Sequence, residues 1–80
     1  MTQAANDERR FSVWARHAGP HHARTVHEPS FEAAAVAFVE DLSIAPDAGE
    51  EISVIVRDLE THHEHCFRID LESGETQPCG

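Results

Sequence analysis

Eighty residues make one domain with a thin core, and an apolar content of 40% in regular patterns argues against a disordered chain. The formal net charge is −9, from 15 acidic residues against 6 arginines and no lysine. That balance argues against direct binding of nucleic acid or an anionic membrane, both of which use basic surfaces, and leaves a soluble protein, a basic partner or a nucleic-acid mimic.

Residues 1–9 read as a disordered polar lead-in without the apolar stretch of a secretory signal. No apolar run is long enough for a membrane span, so the expected compartment is the cytoplasm, where Cys66 and Cys79 would stay reduced. Arg10 to Arg16 alternates, with Phe11, Val13 and Ala15 on one side and Ser12, Trp14 and Arg16 on the other, which is the pattern of a half-buried strand. Ala18-Gly19-Pro20 marks a turn, and Ala23 to His27 gives a short second strand.

Ser30 supplies an N-cap, since its hydroxyl can accept from the orphan amides of a first helical turn. Phe31, Ala35, Phe38 and Leu42 then recur on one helical face. Pro46 to Gly49 forms a loop. Ile52, Val54 and Val56 alternate with Ser53, Ile55 and Arg57 in a third strand, and Ile55 makes its middle apolar on both sides, as in a central strand. A turn follows around Glu60 to His62. The fourth strand, Glu64 to Leu71, sets Phe67, Ile69 and Leu71 against Cys66, Arg68 and Asp70. Residues 73–80 read as a flexible polar tail, and the chain shows no internal repeat.

The sum is an α+β domain over residues 10–72: a small antiparallel sheet in a β-β-α-β-β plan with one helix packed on one face. The order 2-1-3-4 makes every neighbouring pair antiparallel and puts the third strand inside. The expected core is Phe11, Val13, Phe31, Ala35, Phe38, Leu42, Val54, Val56, Phe67 and Ile69. The blocks FSVWARHAG, SFEAAAVAFVEDL and EHCFRIDLESG resemble small bacterial domains of unknown function with the same layout, over about residues 10–74. The resemblance implies a fold and no activity.

Two features carry functional expectations. The chain has 7 histidines, with His17, His21, His22 and His27 in one stretch and His62, His63 and His65 in another. Imidazole is a common ligand of zinc, copper and nickel. The two hairpin turns fall at opposite ends of such a sheet, so the best single-chain metal constellation is His27, His63 and His65, with zinc as its metal. The second feature is the sheet face that one helix leaves open. It carries Trp14, Arg16, Ile55, Arg57 and Arg68, and Trp and Arg are the side chains most enriched at interface hot spots.

Catalytic signatures are lacking. There is no Ser-His-Asp order, phosphate loop or HExxH helix, and Cys66 and His65 point to opposite faces as strand neighbours. The expected function is therefore a non-enzymatic protein–protein interaction module, a homodimer through the open face. A histidine-based metal-binding or metal-sensing module is the alternative, and an acidic inhibitor or nucleic-acid mimic is the third reading.

Overall fold

The computed structural model describes residues 8–42 and 51–79, with Leu42 by its backbone only. The loop expected at Pro46 to Gly49 and most of the lead-in lie outside the described residues. Strands β1 (Arg9–Ala15) and β2 (Arg24–Glu28) are followed by helix α1 (Phe31–Leu42) and strands β3 (Glu51–Asp58), β4 (Glu64–Asp70) and β5 (Thr76–Pro78). They form one antiparallel sheet in the order β2-β1-β3-β4-β5. The expected α+β class and the order of the first four strands match this sheet. A fifth strand stands where the sequence reads as a flexible tail. It is three residues long, and Pro78 suits it to the edge, where a missing N–H breaks no further ladder.

Alternation decides which side chains meet the helix. Phe11, Val13 and Ala15 of β1 and Ile52, Val54 and Val56 of β3 point to one face and are buried against Ala34, Ala35 and Phe38 of α1. Ile69 of β4 completes the core, while Phe31 and Phe67 are only partly buried at its margin. The Ser30 hydroxyl accepts from the Ala33 N–H at 3.1 Å, which caps α1 as expected. Arg24 of β2 and Asp41 of α1 form an ion pair that ties the helix end to the sheet edge. Both side chains are largely exposed, so the pair contributes little to stability.

The same turn occurs twice. Asp58-Leu59-Glu60-Thr61 after β3 and Asp70-Leu71-Glu72-Ser73 after β4 are near-copies, so the chain does repeat at the scale of a turn. In each, the aspartate Oδ1 accepts from the backbone N–H groups two and three residues on. The aspartate carbonyl accepts from the N–H four residues on, at 2.8 Å from His62 and 2.7 Å from Gly74. The residue in that fourth position has positive φ, 68° at His62 and 81° at Gly74. Only glycine takes this conformation without a steric cost from Cβ. His62 is exposed and pays that cost, so His62→Gly should stabilise the domain by about 0.5–1 kcal/mol. Thermal unfolding checks this, with a rise in Tm of about 4 °C expected.

Candidate functional site

The face away from α1 is organised in rows by strand register. Trp14 stands opposite Ile55, Ile55 opposite Cys66, and Cys66 is disulfide-bonded to Cys79 with a Cα–Cα distance of 5.2 Å. All four are half-buried, and together they make an apolar band across the middle of the face. One row toward the β3–β4 turn lie Ser12, Arg57 and Glu64. One row the other way, the Arg16 N–H donates to the Ser53 carbonyl at 2.8 Å, and Ser53 is opposite Arg68, which is opposite Gln77. The register thus gathers all five residues expected on this face, Trp14, Arg16, Ile55, Arg57 and Arg68, and adds Arg10 opposite His27 at one end.

Four arginines therefore share this face in a chain of net charge −9. Arg57 reaches Glu64 at 3.7 Å, a long and exposed pair, while Arg10, Arg16 and Arg68 have no ion pair with a described residue. The outer groove of α1 carries Glu28, Glu32 and Glu40 around Ala33, Val36 and Ala37. Acids are interspersed among the arginines of the open face, since Glu51 and Asp70 stand opposite each other on it and Glu64 stands opposite Arg57.

The histidines are not brought together. Arg10 and His27 are opposite each other, which puts His27 on the open face of β2. Val56 and His65 are opposite each other, which puts His65 on the helix face of β4, its ring 4.2 Å from that of Phe31. Strands β1 and β3 lie between β2 and β4, a separation of about 14 Å. His27 therefore cannot share an ion with His65, and His63 lies beside β4, across β1 and β3 from His27. Among the described residues no three His, Cys, Asp or Glu side chains are grouped as a metal would need.

The cysteines also differ from expectation. They are not two separate reduced thiols but one cross-strand bridge, 13 residues apart in sequence. Sequence reading missed it because it placed Cys79 in a tail. The second residue it missed is Asp58. Its side chain is fully buried, with Oδ1 accepting from Glu60 and Thr61 N–H at 2.7 and 3.1 Å and Oδ2 paired with Arg9. Burial alone would push this carboxyl up, but the two amides and the guanidinium outweigh it and hold the pKa below the ordinary carboxylate value. The Arg9 guanidinium lies 5.6 Å from the Phe11 ring centre and 5.7 Å from that of Phe31.

A match over residues 9–80 to a family of unknown function, DUF5961, runs from the first residue of β1 through β5 and both cysteines. The chain belongs to this family. No curated protein and no solved structure matches it. Membership of DUF5961 thus agrees with the resemblance in layout and assigns no activity. Among the described residues, no helix of this DUF5961 domain is long and apolar enough to cross a membrane.

Proposed function

We propose that this DUF5961 domain is a protein-interaction module, not an enzyme, and that its open sheet face pairs with the same face of a second copy. The observation that carries the reading is the apolar band Trp14–Ile55–Cys66–Cys79, half-buried, flanked by arginines and covered by no described element. A Trp beside a branched aliphatic and a disulfide, rimmed by Arg, has the composition of an interface core and its rim. The one buried titratable side chain among the described residues, Asp58, is fully engaged by Arg9 and two amides and lies on the helix face, so it is not poised for chemistry.

Charge favours a second copy as the occupant. A two-fold axis along the Trp14–Ile55–Cys66 row lays each strand antiparallel over its counterpart. Residues two positions before and after the row then face one another. On β4 these are Glu64 and Arg68, so each copy's Glu64 meets the partner's Arg68, twice per dimer. The rotation of about 30° between packed sheets is within the reach of an arginine side chain. Glu64 is free to do this because its in-chain contact to Arg57 is long, at 3.7 Å.

Sedimentation velocity on the full chain tests the reading. A dimer is expected, with Trp14→Ala raising Kd about 30-fold. Arg68→Glu and Glu64→Arg should each weaken association, and the two together should restore it, since both interchain pairs are then reversed. A monomer at all concentrations, or a double variant as weak as the single ones, would sink the two-fold pairing.

A further inference from the structure

The Cys66–Cys79 bridge closes a strand that supplies no residue to the core. None of Thr76, Gln77 and Pro78 belongs to the core, which is built from β1, β3, β4 and α1. The turn that delivers β5 is held by its own bonds. The Asp70 Oδ1 binds the Glu72 and Ser73 amides, the Asp70 N–H donates to the Glu75 carbonyl at 2.9 Å, and the Ser73 hydroxyl accepts from Glu75 N–H. Beyond Glu75, the attachment of this segment is a three-residue ladder, the Cys79 N–H to Cys66 carbonyl bond at 2.9 Å, and the disulfide. A covalent bond adds most where the non-covalent hold is weakest. Both cysteines are half-exposed on the open face, at the outer side of the sheet.

We propose that Cys66–Cys79 is a thiol–disulfide exchange site whose substrate class is a dithiol reductant, and that its reduction frees residues 76–79 and bares the outer edge of β4. Cys79 lies on the outermost strand, so the in-line approach to its Sγ comes from solvent, while the approach to the Cys66 Sγ crosses the sheet face over Ile55. One thiolate of the reductant attacks the Cys79 Sγ. The Cys66–Cys79 bond breaks, and Cys66 leaves as a thiolate that takes up a proton. The second thiol of the reductant attacks the mixed disulfide, releasing Cys79 and closing the reductant's own disulfide. Two electrons and two protons have then passed to the protein. The freed backbone of Phe67 to Ile69 is an unpaired strand edge, the kind of surface that accepts an added strand. The clasp is closed in an oxidising compartment and open in a reducing one.

Hydrogen exchange on the full-length chain decides the matter, comparing the oxidised protein, the protein reduced by dithiothreitol, and the Cys66→Ser/Cys79→Ser variant. The expected result is loss of protection at the Gln77 and Cys79 amides in both bridgeless forms, with the amides of β1 and β3 unchanged. Three results would overturn the proposal: a bridge that dithiothreitol leaves intact in the folded protein, retained protection in β5 after reduction, or loss of protection across the whole sheet. The last would make the bridge a general staple of the fold instead of a local clasp. Dimerisation by the open face is read separately on the same samples by sedimentation, so its failure leaves this result intact.

Discussion

Phe11→Ala is expected to leave the domain at the edge of stability at room temperature, with a substantial unfolded population. Phe11 has no exposed surface and stands in the middle of the sheet, opposite Val26 of β2 and Asp58 of β3. Its ring packs 4.9 Å from that of Phe31 at the start of α1, so it joins both layers. Truncating a buried Phe removes its transfer energy and leaves a cavity, at a combined cost of about 3–5 kcal/mol. A domain of this size has a total stability of roughly 5 kcal/mol. The loss therefore uses most of what is available. Phe67 offers the contrast, because it is only partly buried at the margin of the core. Phe67→Ala should cost about 1–2 kcal/mol and leave a folded protein. Urea unfolding of the two variants side by side checks the ranking. A Phe11→Ala protein that unfolds at nearly the wild-type midpoint would show that β1 is not the centre of the core.

Much of this architecture is legible in the sequence because alternation acts twice in the same strands. In β1 and β3 it selects the buried face, and by the same step it lines Trp14, Ile55 and the arginines on the other. The open-face group follows from that pattern without tertiary information. The alternation Ile52–Val54–Val56 also carries on to Asp58, and two near-identical segments, DLET and DLES, mark the turns. Those signals were present, but a carboxylate at the end of an apolar stripe reads first as the exit of a strand to solvent. Its burial depends on Arg9, 49 residues away in sequence. Strand β5 carries no such signal. Three residues, one of them proline, give no alternation, and only the turn at Asp70 brings them back along β4. The disulfide was hidden for the same reason. The histidine constellation fails on sidedness: His65 shares the parity of Phe67 and Ile69 and faces the helix, whereas His27 faces away from it.

The repeated turn provides a control inside one molecule for the cost of the buried ion pair. Asp58 and Asp70 make the same local bonds, and an asparagine in either place keeps an oxygen that accepts from the same two amides. The two sites differ in burial and in Arg9. Asp70 is half-exposed and has no such partner among the described residues, whereas Asp58 is fully buried against a guanidinium whose own side chain is 40% exposed. Asp70→Asn should therefore shift Tm by less than about 4 °C, and Asp58→Asn should lower it by more than about 10 °C. Acid should erase the difference. The folded pKa of Asp58 lies below its unfolded value. Its contribution is thus fully present above the ordinary carboxylate pKa, about 4, and is lost as pH falls below that through the depressed folded value. The Tm gap between wild type and Asp58→Asn should be constant near neutrality and close as pH drops below about 4. Arg9→Met should raise the folded pKa of Asp58 toward its unfolded value, so the acid-labile contribution becomes smaller and its loss is complete at a higher pH, because the carboxylate then keeps its burial and its two amides but loses its counter-charge. If the gap is the same at pH 3 and pH 7, the buried charge is not what Arg9 stabilises, and the Asp58 site is a hydrogen-bonded turn like its copy at Asp70.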